Sequence, residues 1–564
     1  MLVYDFEVFK HDWLVVMLDL TTKKETVIIN DTDALQAMYN NNRHDIWIGF
    51  NNKGYDQYIL KGILAGFNPK QINDYIIVLG EPGWKFSNLL RQFPMNNYDV
   101  FNRGLDKGLK VFEGFMGNDI NESSVPFDLD RKLTEEEIQE TVNYCRHDVE
   151  NTTQLFMERY SDFEAHMGLL KYYANGEPLD LSLLSKTKVQ LSAVILGASL
   201  NSYDDEFDID FPPTLKIDKY TAVLDFYRNT ENRDYSKKLE IMVAGVPHVF
   251  GWGGLHGAID KYHGEGYFLN MDVASLYPSL MIRYNLGSRS MHDPKRYEDI
   301  YHRRLKYKKE KNPLQAPLKI VLNGTYGAMK DKFNPLYDPR QANRVCIYGQ
   351  TLLLDLIEKL EPHCDIIQSN TDGVLVKMRR YEDFDLIDDI AYEWEQRTGL
   401  QLEFDEYKRV FQKDVNNYII VDHEGGYKSK GAYVKKLSNI DNDLAIVNTA
   451  LINYFVHNIP VEQTVKGCND LKQFQMIARA SSKYKCLMYG DEVLPVRTAR
   501  VFATREGKGL FKVSNRTNKP EKVSNTPVSC YIFNESVNGQ GIPEWLDHSW
   551  YIELANKRIK DFGG

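Results

Sequence analysis

Cysteine is scarce in this chain: six residues in 564, at Cys145, Cys346, Cys364, Cys468, Cys486 and Cys530, with no C-x-x-C pair. That scatter excludes a disulfide framework and a cysteine zinc module as organising devices and reads as reduced, intracellular thiols. No run of about 18 apolar residues occurs, so no membrane span is expected. The opening MLVYDFEVFK carries acids where a secretory leader needs a basic start and an apolar stretch. A soluble, cytoplasmic protein is the resulting expectation. Internal repeats and low-complexity tracts are missing too. So is an excess of positive charge: the formal net charge is -10, which, evenly spread, would argue against a nucleic-acid partner, so the local distribution has to decide.

What is present is ample core material, 43% hydrophobic and 12% aromatic residues with 26% charged, enough for three or four domains. LVYDFEVF, WLVVMLDL and ETVII read as a strand meander, DIWIGF as a short strand, and YDQYILKGIL as a helix. Thr134 and Glu137 form a capping-box signature ahead of a long periodic segment. The glycine-rich VFGWGGLHGA precedes a new apolar strand, GYFLNMDV, and the segment from Tyr301 to Met329, interrupted by Pro313 and Pro317, predicts two helices joined by a short turn, with Glu310 its only acid. CDIIQSNTDGVLVKM predicts a hairpin with Asp372 at its tip.

The acids carry the chemistry. Asp5 and Glu7 share one face of a strand, where two carboxylates do not lie close without a cation. Asp56 follows the FNNKGY loop, and Tyr144 and Asp148 share a helix face. Four acids and a phenol suit a two-metal phosphodiesterase, in which carboxylates bridge cations and a tyrosine hydroxyl orients water. The strings YDFEVF, FNNKGYD and YCRHD resemble the three exonuclease motifs of the DnaQ-like proofreading domains of family B DNA polymerases. The resemblance implies metal binding by Asp5, Glu7, Asp56 and Asp148, water orientation by Tyr144, and contacts to the 3′-terminal nucleotides by Asn52 and Tyr55. Some relatives place a lysine at the scissile phosphate, but Lys110 in DKGLKVFEG reads here as a solvated lysine.

A second set lies downstream. Asp272 ends a strand and precedes a strand-to-helix turn with Pro278, a place where backbone amides can face a triphosphate. Lys319, Asn323 and Tyr326 share one helix face that suits a nucleotide, and Arg304 with Lys308 could complete a triphosphate clamp, with Arg303 or Lys306 as the alternatives in another helix rotation. DVASLYPS resembles motif A of family B polymerases and KIVLNGTYG motif B, with Gly324 in place of the usual serine. SNTDG resembles motif C, with Asn370 where the first aspartate is expected. The resemblance implies that Asp272 and Asp372 hold metal, Tyr277 excludes a 2′-hydroxyl, Lys319 contacts phosphate and Tyr326 stacks near the nascent base pair. FGWGGLHGA resembles the template-strand motif, giving Trp252, Gly253 and Gly254 as DNA contacts. KDVNNYIIV keeps the primer-terminus Tyr418 with Asn416 in place of lysine, and Lys430 is a candidate compensating contact.

The expected architecture is therefore multidomain, α/β and α+β: an RNase H-like exonuclease and a right-hand polymerase with an antiparallel palm sheet, helical fingers and a thumb. The boundaries are exonuclease 1–155, connecting region 156–245, palm 246–300 and 333–430, fingers 301–332, and thumb with C-terminal region 431–564. Two Mg²⁺ per active site are implied, with Mn²⁺ as a substitute, and primer–template DNA and dNTPs as ligands. The short gaps between Asp272, Lys319 and Asp372 leave no room for large inserted domains; protein-primed phage polymerases, which the chain resembles in size, carry insertions in both gaps, so the resemblance implies no terminal protein and a helicase, primase or clamp as the expected help. Set against the family it resembles, the compactness implies a bacteriophage or related mobile element as the source and, if phage-encoded, the bacterial host cytoplasm. The competing reading is an exonuclease with a non-catalytic polymerase-like DNA-binding domain.

Overall fold

A computed structural model describes residues 1–102 and 104–563. The chain forms two compact units of mixed α/β character. The first comprises Met1–Lys186, Leu437–Ile446 and Gly467–Tyr551, and the second Thr187–Lys436, Val447–Lys466 and Ile552–Gly564. Residues 1–155 lie wholly within the first unit, and residues 431–564 are divided between the two.

In the first unit the meander Leu2–Val8, Trp13–Asp19, Glu25–Ile29 forms antiparallel pairs, and Leu2–Val8 also pairs in parallel with Ile46–Gly49, which pairs with Asn96–Asp99. Leu2–Val8 is buried at almost every position, as a central strand covered on both faces must be. The long helix Glu135–Glu158 packs on it and on Trp13–Asp19. Its start is fixed by the predicted capping box, with Thr134 Oγ1 accepting from the Glu137 amide at 3.2 Å and Glu137 Oε2 accepting from the Thr134 amide at 2.9 Å. C-terminal strands Met476–Arg479 and Thr498–Lys508 pack on the helix Leu109–Met116.

The second unit is built on a nine-stranded antiparallel sheet in which Tyr262–Val273 lies between Gly373–Met378 and Leu402–Asp414. The buried helix Pro339–Leu360 packs against Gly373–Met378 and the helix Leu276–Arg283. The two predicted helices are Lys295–Lys309 and Gln315–Lys330, with Pro313 in the turn between them, while Pro317 sits in the first turn of the second, where a missing amide proton costs nothing. Among the described residues no helix is long and apolar enough to cross a membrane.

Candidate metal centres

In the first unit, strand Leu2–Val8 delivers Asp5 and Glu7, the helix Asp56–Leu64 begins with Asp56, and the helix Glu135–Glu158 adds Tyr144, Cys145 and Asp148. Ligand atoms of Asp5, Glu7 and Cys145 all lie within 4.8 Å of one another. Asp56 Oδ1 accepts the Phe6 amide at 3.1 Å, tying its carboxylate to the strand between the other two acids. Glu7 is only 8% exposed, and no hydrogen bond to its carboxylate is found among the described residues. Burial, and then the neighbouring carboxylates, push Asp5 and Glu7 well above the usual range. Burial raises Asp56 to about 7 and Asp148 to about 6, the latter against the pull of Lys110. A buried, mutually repelling set with an unpartnered carboxylate fits a divalent cation, which would supply the missing positive charge.

Lys110 corrects its sequence reading: its side chain is only 15% exposed and is paired, not solvated. Its Nζ hydrogen-bonds Asp148, pairs with Glu113 at 3.0 Å and lies 4.4 Å from the Tyr144 ring centroid. Burial opposes its charge, yet Asp148 and Glu113 hold its pKa above the ordinary lysine value. Glu113 and His147, 3.5 Å apart, stand inside the strings DKGLKVFEG and YCRHD but went unread, because nothing in those strings shows that the fold brings the two side chains together. Asn52 is fully buried, its Nδ2 donating to Asn97 Oδ1 at 2.9 Å and Tyr98 O at 3.3 Å, which ties the FNNKGY loop to the neighbouring strand, while its Oδ1 has no hydrogen-bond partner among the described residues. Tyr55 stays half-buried, its hydroxyl on Asn73 Oδ1 at 2.8 Å.

In the second unit, sheet register brings the acids together. Gly373 and Glu403 flank Asp272 on the two neighbouring strands, so Asp372, one residue before Gly373, stands beside Asp272 at the hairpin tip. The hairpin closes through the Asn370 amide to Gly373 O at 2.8 Å. A cleft of about 280 Å³ opens there, lined by Asn270, Asp272, Asn370, Asp372, Tyr418 and Lys430, among others. Burial, and next Asp372, raise Asp272 to about 6, while Asn270 Nδ2 donates to Asp272 Oδ2 at 2.7 Å. Two adjacent carboxylates at an open cleft again fit a divalent cation. A Cβ on Gly373 would fall on Asp272 Oδ1, so glycine keeps that carboxylate in place. Asp405 also lies near Asp272 and pairs with Lys428 at 2.8 Å; both escaped the sequence reading because only strand pairing brings them to Asp272.

Around this cleft, Ser275 adopts φ 51°, an unusual left-handed turn for a non-glycine residue, before the helix Leu276–Arg283. Tyr277 and Tyr326 rings lie 4.1 Å apart at 31°. Arg304 is buried, its Nη1 3.5 Å from Ser275 Oγ, while Arg303, Lys306 and Lys308 are exposed. Lys319 and Asn323 are exposed on the Gln315–Lys330 helix. A Cβ at Gly324 would meet Val189 at an ordinary 3.7 Å, so packing does not demand glycine there. Tyr418 pairs across the sheet with Lys430, and Asn416 is exposed in the adjoining turn. At Gly254, φ 146°, an added Cβ would stand 3.5 Å from Thr371 Oγ1 at the hairpin tip, whereas nothing would crowd one at Gly253. Trp252 departs from expectation. It is buried against Phe207 and Tyr227 with its Nε1 donating to Asn232 O at 2.9 Å, a core residue rather than an exposed stacking ring.

No family model matches the sequence. Over 209 residues, 30% of this chain, it is 26% identical to DNA polymerase 1 of Aeropyrum pernix, and the match spans 22% of that relative's length. A family B DNA polymerase structure from Pyrobaculum calidifontis aligns with all of this chain and 77% of its own, at 16% identity and a TM-score of 0.42.

Proposed function

We propose that the chain is a template-directed DNA polymerase of the compact, phage-type family B class, with a 3′→5′ exonuclease in its first unit. The observation that carries this is the register that sets Asp272 beside Asp372 at an open cleft, with Tyr277, Tyr326 and Arg304 grouped around Ser275 close by. The likeness to a polymerase from Aeropyrum pernix supports it. In this reading the nine-stranded sheet is the palm, helices Lys295–Lys309 and Gln315–Lys330 are the fingers, and the substrates are dNTPs and primer–template DNA.

Divalent cations, Mg²⁺ in this reading, would be held by Asp272 and Asp372 in one centre and by Asp5, Glu7, Asp56 and Asp148 in the other. Bound there, such cations would supply Lewis acidity towards the attacking oxygen and positive charge beside the leaving one. Arg304 and Lys319 hold the triphosphate, so the 3′-hydroxyl meets the α-phosphate in line. Tyr277 lies under the sugar and excludes a 2′-hydroxyl, and Tyr326 supports the base pair. Tyr418 and Lys430 hold the primer end. In the exonuclease, Tyr144 orients the attacking water, and Lys110 fixes Asp148 and offers its charge to the scissile phosphate. Priming is from an ordinary 3′-end, without a terminal protein.

The second reading, an exonuclease with a non-catalytic polymerase-like domain, is favoured by one feature: the Asn370 amide where a further carboxylate is expected. One assay separates the two. Primer extension and 3′ degradation are measured with Mg²⁺ for wild type, Asp272→Ala and Asp5→Ala. We expect Asp272→Ala to lose extension alone and Asp5→Ala to lose degradation alone; a wild type that degrades but never extends establishes the second reading.

A further inference from the structure

The nuclease centre holds a thiol that the proposed reaction does not use. Cys145 Sγ sits at full burial, 3.3 Å from Asp5 O and 3.6 Å from Asp5 Oδ2, and with Asp5 and Glu7 it forms a trio of donor atoms all within 4.8 Å of one another. Glu7 independently marks a ligand position. It is more than nine-tenths buried, no hydrogen bond to its carboxylate is found among the described residues, and a carboxylate oxygen of it belongs to the same trio. Zinc binds thiolate at about 2.3 Å and carboxylate oxygen at about 2.0–2.2 Å, so in its tetrahedral geometry neighbouring ligand atoms stand roughly 3.3–3.7 Å apart. Donor atoms within 4.8 Å of one another close on such an ion by side-chain movements of about 1 Å. Mg²⁺ takes oxygen donors, keeps several waters and has no use for sulfur, whereas soft thiolates select Zn²⁺ over Mg²⁺.

We propose that Asp5, Glu7 and Cys145 form a site for a thiophilic divalent cation, of the Zn²⁺ class, that competes with Mg²⁺ at this centre. With Mg²⁺ the thiol keeps its proton and its contact with Asp5. With Zn²⁺ the S–H bond breaks, its proton passes to buffer, and an S–Zn bond forms with no change of oxidation state. The ion then occupies the Asp5 and Glu7 carboxylates in a geometry that leaves no Mg²⁺ site. The inhibitory consequence rests on the nuclease reading above; the coordination does not.

The test titrates the full chain with Cd²⁺, a thiophilic probe whose bond to sulfur absorbs in the near ultraviolet. Wild type is compared with Cys145→Ala, which leaves the other five cysteines in place. A saturable band in wild type that is missing in Cys145→Ala is expected; equal bands in both overturn the site. Because a misfolded Cys145→Ala chain would also lose the band, Glu7→Gln, which keeps the thiol, is titrated alongside. Its band should require about 10–100-fold more Cd²⁺, the usual scale for losing support at a metal site, and an unshifted titration overturns the role of Glu7. Zn²⁺ inhibition of Mg²⁺-dependent 3′ degradation, each variant scored against its own uninhibited rate, should weaken by a similar factor in Cys145→Ala. A Cys145-dependent band in a chain that degrades nothing sinks the nuclease reading and leaves the site standing. Degradation without a Cys145-dependent band does the reverse.

Discussion

At the scale of single residues, Gly373 makes the second centre possible. A Cβ there meets Asp272 Oδ1 and lies 3.0 Å from Met271 O, so the carboxylate has to leave. Gly373→Ala is expected to destabilise the chain by about 1–3 kcal/mol, the usual cost of overpacking. Since a displacement of about 1 Å costs about 100-fold in rate, extension should fall at least that far. Denaturant unfolding with steady-state extension checks both, and extension within a few-fold of wild type would mean that Asp272 does not act from its observed position. Lys428 tests the electrostatics of the same group. Burial and Asp372 hold Asp272 at about 6, and Lys428 pulls that value down. Asp272 must be ionised to hold a cation, so kcat/KM for dNTP is expected to fall on the acid side near pH 6. In Lys428→Ala the lost positive charge raises Asp272 further, moving that limb to higher pH. A limb that stays put, or moves down, refutes the coupling. These residues also mark the limits of sequence reading. Asp272, Asp372 and Tyr277 stand in contiguous strings, whereas Asp405 and Lys428 reach Asp272 only through strand register. Burial was equally invisible: nothing in the strings separates a Trp252 in the core from one on the surface, or a solvated Lys110 from one paired with Asp148.

At the scale of elements, period and capping made most of the first unit legible. The meander, the Thr134–Glu137 helix start and the hairpin at Asp372 all form where alternation and turn residues predict them. The capping box sets the phase of the helix Glu135–Glu158 and hence the inward aim of Tyr144, Cys145 and Asp148. That convergence has a thermodynamic signature. Without a cation, the carboxyls of Asp56 and Asp148 have folded values of about 7 and about 6, above the unfolded carboxyl range near 4. Between those limits the folded state binds more protons than the unfolded state, so stability is full below about pH 4 for these groups and is lost as pH rises towards 7. In EDTA the first unit should therefore lose a few kcal/mol across that interval, and Mg²⁺ or Mn²⁺ should restore most of it at pH 8. Thermal unfolding with and without the cation is the measurement. A metal-free Tm that climbs steadily from pH 5 to pH 8 has the wrong sign for this cluster.

At the scale of the whole molecule, the chain's course through the first unit went unread, because it depends on contacts between segments hundreds of residues apart. Helix Leu109–Met116, which carries Lys110 and Glu113, is held by residues from the C-terminal third. Arg500, fully buried and with no carboxylate hydrogen-bonded to it among the described residues, donates to Gly114 O at 3.3 Å, Asn118 O at 2.6 Å and Gln475 Oε1 at 2.9 Å, and burial lowers its pKa to about 10. Gln475 Nε2 reaches Phe115 O at 3.2 Å, and the Val537 and Ile120 amides bond Gly117 O and Asn534 O at 2.9 and 2.8 Å. Each such bond contributes about 0.5–1.5 kcal/mol net, so together they supply several of the roughly 5–15 kcal/mol that hold a domain folded. A fragment of residues 1–186 keeps every nuclease motif but none of these partners. It is expected to lose protection from amide exchange across residues 109–120, to unfold at a much lower temperature than the same residues in the full chain, and to lose the Lys110–Asp148 pairing with 3′ degradation. Arg500→Met in the full chain should do the same in part, sparing extension at Asp272. A 1–186 fragment as protected and as active as the parent would mean that the C-terminal strands merely cover the nuclease, and that its fold is written entirely in its own sequence.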